Sequence, residues 1–483
     1  RKRVINMRNI WNVTYSRCLL FFLVAGIFSS CRVTLAVNPT RPNIVVFVAD
    51  DLGWSDLGYS GSSFYESPNI DLLSKRGMIF TNAYSNGPNC APSRASLMSG
   101  MYTPRHGIYT VASSARGKSK DRRLIPVENN TILRDGIITL PEKLRTLGYR
   151  TGHFGKWHLG ADPTTQGMDV NIAGREWGSP SGGGYRSPFN FPNLKSDKPG
   201  EYLTDRISEA ACDFIRSSKK QPFFVYLSHY SVHTPIQPKK QYVEHFENKA
   251  EDRGHKNAGY AAMIQSLDES MGRIIQTLAA ESLSENTIVI FVSDNGGHGG
   301  VTTNRPLRGA KGMLYEGGIR VPMIVHWPGK TAAGSRFDQS VIGVDLLPTI
   351  LEMANGKSKK EPDEQPRDGI SLVDVLDGTA SGLVDRPLFW HFPAYLQASG
   401  SGAIRDPFRT RPVGAIRWGD WKLIEFFESG QVELYNLTDD ISESKNLAAS
   451  NPQQAVLLLD KLQNWRQSVN APVPQELNPD YED

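Results

Sequence analysis

Two short runs constrain this chain more than any other feature. Asn43-Ile44-Val45-Val46-Phe47-Val48-Ala49 and Thr287-Ile288-Val289-Ile290-Phe291-Val292-Ser293 are continuously apolar and rich in β-branched side chains. That is the pattern of parallel strands buried on both faces. Each run ends in polar metal-ligand chemistry: Asp50-Asp51 after the first, Asp294-Asn295 after the second. Unpaired carboxylates are expensive to bury. These side chains therefore belong in the crevice at the carboxyl end of the sheet, where open α/β folds bind ligands. Phe223-Phe224-Val225-Tyr226-Leu227 reads as another buried strand.

Three carboxylates and an amide oxygen at one sheet edge make a hard-cation site. All-oxygen donors suit Ca²⁺ or Mg²⁺ and argue against zinc. The plain alternative for any single aspartate is a helix cap, but two strands of matching grammar with the same ending favour the metal.

A second stretch is Asn89-Cys90-Ala91-Pro92-Ser93-Arg94-Ala95-Ser96-Leu97-Met98-Ser99-Gly100. It reads as a loop entering a short helix, with Pro92 tolerated in the first turn and Gly100 as the stop. Cys90 then sits at a helix N-terminus, where outward N–H groups favour an anion. The small neighbour Ala91 is expected to leave Cys90 accessible. Arg94, one turn on, adds fixed positive charge.

Further cations recur in glycine-rich settings. Lys156 and His158 lie in Gly155-Lys156-Trp157-His158-Leu159-Gly160, and two residues apart on an extended segment they face the same way. Lys311 lies in Arg308-Gly309-Ala310-Lys311-Gly312, where glycine permits close backbone approach to a ligand. His229 and His233, in Ser228-His229-Tyr230-Ser231-Val232-His233-Thr234-Pro235, compete for one role.

Cys90-Ala91-Pro92-Ser93-Arg94, followed by Gly100-Met101-Tyr102-Thr103-Pro104-Arg105-His106-Gly107, resembles the signature of type I sulfatases in the alkaline phosphatase superfamily. The likeness extends over essentially the whole mature chain, through Asp50-Asp51, residues 148–160, His233, Asp294-Asn295 and the segment from Lys311 to Pro322. It implies an alkaline-phosphatase-like fold: a mostly parallel central sheet flanked by helices, plus a smaller C-terminal antiparallel sheet with a helix. It implies Ca²⁺, in preference to Mg²⁺, held by Asp50, Asp51, Asp294, Asn295 and the modified Cys90. It also implies that a maturation enzyme oxidises Cys90 to Cα-formylglycine, whose hydrate attacks a sulfate ester. By the same resemblance Lys156 and Lys311 neutralise the sulfate, and Arg94 helps activate the nucleophile. His233 protonates the leaving alcohol, and His158 takes the proton that lets the aldehyde re-form. His233 matches the substrate histidine better than His229. Two alternatives stand beside this reading: a phosphodiester or phosphonate monoester hydrolase of the same superfamily, and a sulfated-glycan-binding protein that no longer turns over.

Residues 1–36 pair a charged n-region (Arg1, Lys2, Arg3, Arg8, Arg17) with the apolar run of residues 18–28. The run is too short to cross a membrane, and with small residues ending at Ala36 it reads as a secretory signal. The protein is expected to be exported to a periplasmic, secreted or lysosome-like compartment, with lipoprotein anchoring at Cys31 as the alternative. Residues 40–378 are expected to form the catalytic domain and residues 379–483 the C-terminal subdomain. No span is expected in the mature chain. Cys90 and Cys212 would be its remaining cysteines, too few for a disulfide scaffold, and Cys212 reads as helix core. The net charge of +4 over 483 residues, without a basic run, argues against nucleic acid. Export and the open loops at 112–136 and 172–200 favour a sulfated carbohydrate over a small aryl sulfate.

Overall fold

The computed structural model describes residues 41–355, 365–398 and 406–482. The signal-like segment and Cys31 lie outside the described residues, as does most of the polar loop that follows residue 355. The apolar runs form the centre of an eight-stranded sheet. In spatial order its strands are Arg336–Phe337, Met78–Phe80, Met323–His326, Thr287–Ser293, Asn43–Ala49, Phe223–Ser228, Arg150–Gly155 and Val170–Ile172. Only the 323–326 strand runs antiparallel to its neighbours. The sheet is thus mostly parallel.

Alternation along the strands explains why the runs are apolar throughout. Val45, Phe47 and Ala49 face one layer, packed with helices Leu203–Ser218 and Ala258–Ala280. Ile44, Val46 and Val48 face the other, packed with helices Cys90–Ser99, Leu140–Thr146 and Leu346–Asn355. Every residue of the 43–49 and 287–293 strands is buried. Met263, Met271 and Cys212 are plain core.

Two segments differ from expectation. Residues 236–256, highly charged in sequence, nevertheless contain helix Lys240–Glu247, whose Phe246 plugs into the core. Loop 172–200 carries a short hairpin, Asn190–Phe191 with Leu194–Lys195. Its aromatic side chains Tyr185, Phe189 and Phe191 are buried, so the loop is anchored from within.

The C-terminal sheet has four antiparallel strands in the order Leu388–Phe392, Val413–Trp418, Trp421–Phe426, Val432–Asn436. Helix Pro452–Ser468 covers the sheet through Leu458, Leu462 and Trp465. The Trp465 ring stacks on Phe389 at 4.6 Å. The Trp390 indole N–H donates to the Ser85 carbonyl at 2.7 Å, tying this sheet to the segment before Cys90. Among the described residues, no helix is long and apolar enough to cross a membrane.

Candidate active site

The site is a consequence of strand register. Ala49 pairs with Ser293, Val48 with Ser228, and Ser228 with Gly155. Four parallel strands therefore stop along one line, and the next residues on three of them are Asp50, Asp294 and Lys156. Gly155 is required here: with φ at +106°, a Cβ would lie 2.0 Å from the Ser228 carbonyl oxygen. The turn it allows carries the Lys156 Nζ to Asp50 Oδ2 at 2.7 Å.

Helix Cys90–Ser99 enters this edge from one side of the sheet. Arg94 reaches under the aspartates, with its Nε 2.9 Å and its Nη2 2.8 Å from Asp294 Oδ2. Its Nη1 donates to the Lys156 carbonyl at 2.9 Å and to the Ser228 hydroxyl. Ser228 was not expected at the site; its place at the end of a buried strand was the signal. Arg94 thus braces Asp294 and the Lys156 turn from below. Cys90 Sγ lies 3.9 Å from Asp51 Oδ1.

The segment after residue 308 closes the far side. The Lys311 N–H donates to the Gly297 carbonyl at 3.0 Å, and that of Gly312 to the Pro88 carbonyl at 2.8 Å. This clamps the Lys311 loop to both the Asp294 turn and the Cys90 loop. Lys311 Nζ sits 2.7 Å from Asp51 Oδ1. His233 Nε2 is 3.7 Å from Asp51 Oδ2. The Tyr185 hydroxyl, from the long loop, donates to the His233 carbonyl at 2.8 Å. His229 points away, its Nε2 2.8 Å from the Ser270 hydroxyl in the core, so His233 is the histidine at the site.

Two expectations need correction. Cys90 is not accessible: it is 1% exposed, because every residue of its helix packs inside the protein. Lys156 and His158 both face the site, but not by strand alternation. The strand ends at Gly155, and His158 is turned back with φ at +65°. Asp51 is likewise left-handed, at φ +62°. Such conformations in non-glycine residues collect at functional sites.

The electrostatics are distinctive. Burial, opposed by Lys156 and reinforced by Asp294 and Asp51, pushes Asp50 up to about 7. Burial alone would also raise Asp51, yet Lys311, His233 and Lys156 hold it well below the usual carboxylate range. Burial would lower Lys311, but Asp51 keeps it above the usual lysine range, so it is a permanent cation. Burial and Lys311 push His233 down to about 3. Burial, then Lys156 and Arg94, depress His158 strongly. Both rings are neutral in the free protein. His233 Nδ1 faces the Thr234 carbonyl at 2.6 Å, and a carbonyl only accepts, which leaves Nε2 as the lone-pair side. Burial pushes the Cys90 thiol up to about 12, so it is no thiolate nucleophile.

Whether a cation fits can be read from the oxygens. Asp50 Oδ1 and Asn295 Oδ1 are buried and receive no hydrogen bond, while Asn295 Nδ2 donates to Asp51 Oδ1 at 2.9 Å. Buried oxygens without donors are unusual and call for an explanation. Asp51, Cys90 and His233 bring ligand atoms within 4.8 Å of one another, and so do Asp50, Cys90 and Asp294. Lys156, Lys311 and Arg94 pair with Asp50, Asp51 and Asp294 in turn. The oxygens suit a hard divalent ion, and a divalent ion would add positive charge with which the pocket could receive an anion.

A network below the Asp50-Asp51 turn was not legible in the sequence. Asp56 accepts from the Tyr260 hydroxyl at 2.8 Å and from the Thr302 hydroxyl at 3.1 Å, and His255 Nε2 lies 3.4 Å away. Tyr260 also donates to the Asp51 carbonyl at 3.3 Å. These contacts fix the backbone on which Asp51 stands.

Known proteins resemble this chain in sequence and fold. Residues 42–356 match the sulfatase family model, and residues 310–468 match that of the C-terminal region of N-sulphoglucosamine sulphohydrolase. A sulfatase of Formosa agariphila is 34% identical over 95% of this chain and 94% of its own length. N-acetylgalactosamine-6-sulfatase of Rattus norvegicus is 33% identical over 76% of this chain and 72% of its own. The crystal structure of Ps i-CgsB in complex with k-i-k-neocarrahexaose aligns with a TM-score of 0.73 and 29% identity, covering 91% of this chain and 95% of that one. With its alkaline-phosphatase-like sheet and its signature residues gathered at one edge, the chain belongs to the type I sulfatase family and is a sulfuric ester hydrolase.

Proposed function

We propose that the protein hydrolyses a sulfate ester of a carbohydrate, using a formylglycine made from Cys90 and a bound Ca²⁺. The observation that carries this reading is the convergence of Cys90, Arg94, Lys156, His233 and Lys311 on Asp50, Asp51, Asp294 and Asn295 at one sheet edge. The sulfated-carbohydrate class is supported by the relatives, one an N-acetylgalactosamine-6-sulfatase and one solved with a neocarrahexaose.

Asp50, Asp51, Asp294 and Asn295 would hold the cation, with Mg²⁺ the less suitable occupant. The cation and the matured residue 90 together would supply an activated oxygen nucleophile and charge neutralisation. The remaining steps belong to this chain's own side chains. Arg94 keeps Asp294 and the Lys156 turn in place. Lys156 and Lys311 present fixed positive charge to the sulfate oxygens, where charge develops during transfer. His233, neutral when the site is empty, gains basicity when an anion binds beside it. It would then carry a proton on Nε2 to the leaving oxygen. His158, held neutral among cations, is suited to accept a proton at the end of the cycle. The reading also includes a maturation enzyme acting on Cys90. It includes export, supported by the charged-then-apolar pattern of residues 1–28.

Lys311→Ala is expected to lower kcat on nitrophenyl sulfate roughly 10²–10³-fold, the usual cost of removing a charge-stabilising group. Steady-state kinetics check this; an unchanged kcat would remove Lys311 from the mechanism. Chelation should abolish turnover and lower the melting temperature, and Ca²⁺ should restore both. Binding to the folded state alone stabilises by about 2.7 kcal/mol at a hundredfold excess over Kd. A melting curve indifferent to chelator and Ca²⁺ would contradict the cation site. Hydrolysis of sulfate monoesters should exceed that of phosphate diesters and phosphonate monoesters under the same conditions; the reverse order would favour the other activity of the superfamily.

A further inference from the structure

Directly after Asp294-Asn295 the chain reads Gly296-Gly297-His298-Gly299-Gly300, so His298 carries the only side chain of that run. The flanking glycines let the run lie against the segment that carries Lys311. A Cβ on Gly296 would lie 2.0 Å from the Gly317 carbonyl oxygen, and one on Gly299 would meet the Ala310 Cβ at 3.0 Å. The Gly297 carbonyl accepts from the Lys311 N–H at 3.0 Å. His298 thus stands between two contacts with the Lys311 loop. Its own carbonyl accepts from the Val301 and Thr302 N–H groups at 2.8 and 3.0 Å, which fixes the turn beneath the ring.

One contact decides which ring nitrogen carries the proton. The Gly300 N–H donates to His298 Nδ1 at 3.1 Å. Nδ1 is therefore an acceptor, and in a neutral imidazole the proton is then on Nε2. Burial lowers the basicity of the ring; Asp51 opposes this, while Lys311 and Arg409 add to it. The ring is neutral in the free protein and lies within the field of Asp51 and Lys311. It is only half-buried, and among the described residues Nε2 makes no hydrogen bond. A fixed N–H without charge suits an uncharged oxygen. Lys156, Lys311 and Arg94 already bring positive charge to the sulfate, whereas sugar hydroxyls are selected by a few well-placed polar groups.

We propose that His298 is a specificity-determining residue, whose Nε2–H donates to a hydroxyl or ring oxygen of the sugar that carries the scissile sulfate. This rests on the carbohydrate-sulfatase reading and deepens it. A nitrophenyl ester has no such oxygen, so His298 favours sugar over aryl sulfates.

The test is the ratio of kcat/KM for a saccharide sulfate to that for nitrophenyl sulfate. The saccharide is the fastest from a panel of sulfated galactose and N-acetylgalactosamine mono- and disaccharides. His298→Ala should lower the ratio roughly five- to tenfold, the worth of a neutral hydrogen bond. His298→Gln, whose amide can place an N–H near the Nε2 position, should restore most of it. A ratio unchanged in His298→Ala, with both rates kept or both falling together, would overturn the role and leave the sulfatase reading intact. So would a ratio in His298→Gln as low as in His298→Ala. Cleavage of nitrophenyl sulfate but of no saccharide in the panel would overturn the carbohydrate reading, and this inference with it. If His298→Ala fails to fold, His298→Leu fills the same space without a donor and gives the same comparison.

Discussion

Cys90→Ala is expected to abolish sulfate-ester turnover, by on the order of 10⁴-fold or more, as removing a covalent nucleophile does. The fold should survive. Cys90 opens a helix whose cap is Asn89 and whose stop is Gly100, and alanine is the best helix former. The loss is one buried sulfur, comparable to a methyl-sized void and worth about 1 kcal/mol. Activity and stability should therefore separate cleanly. Turnover on nitrophenyl sulfate and a thermal melt, measured on the same preparation, check it. Retained activity would remove Cys90 from the chemistry. The thiol itself is poorly suited to act: burial keeps it protonated, and its neighbours are carboxylate oxygens and cations.

Lys422→Met is expected to destabilise the protein by about 3–5 kcal/mol, the range seen when one partner of a buried ion pair is removed. Lys422 is fully buried, with its Nζ 3.0 Å from Glu316 Oε1 and 2.8 Å from Glu443 Oε1. Without the lysine, two buried carboxylates would face each other. Burial already pushes Glu443 up to about 7, with Lys422 opposing and Glu316 adding to the rise. The consequence reaches the active site along the chain. The Glu316 N–H donates to Glu443 Oε2 at 2.7 Å, and the Tyr84 hydroxyl donates to Glu316 Oε2 at 2.7 Å. Glu316 opens the turn that follows the Lys311 loop and packs against residues 308–313. Denaturant unfolding should show the loss, and kcat should fall along with stability because Lys311 is held by the same segment. Unaltered unfolding would mean that this triad does not tie the C-terminal sheet to the site.

Much of the fold was legible because its central strands are buried on both faces. Ile44 to Ala49 and Ile288 to Val292 have no polar face, so their sequence declares both strand and burial. The polar residues that follow them then declare the ligand-binding edge. The gathering of Cys90, Arg94, Lys156, His233 and Lys311 there rested on resemblance. What links them in space is register: Ala49 with Ser293, Val48 with Ser228 and Ser228 with Gly155. No local pattern encodes that alignment. For the same reason Ser228 was missed, although it accepts from Arg94.

Other elements were hidden by composition. Leu388–Phe392 is apolar enough for a strand, but its partner Val413–Trp418 follows only after the hairpin that carries Arg409. Helix Lys240–Glu247 is almost wholly charged and polar on its outer face, and Phe246 is its buried anchor. The backbone reversal at His158 depends on tertiary packing; its N–H donates to the Arg175 carbonyl at 2.9 Å.

The central claim is that residue 90 acts as an oxygen nucleophile made from a cysteine. The most direct measurement is the mass of the peptide carrying Cys90, taken from an active preparation alongside its turnover number. A fraction of that peptide should have the mass expected when the CH₂–SH of cysteine becomes CHO, and turnover should scale with that fraction across preparations. Full turnover from protein whose residue 90 is entirely unmodified thiol would contradict the account.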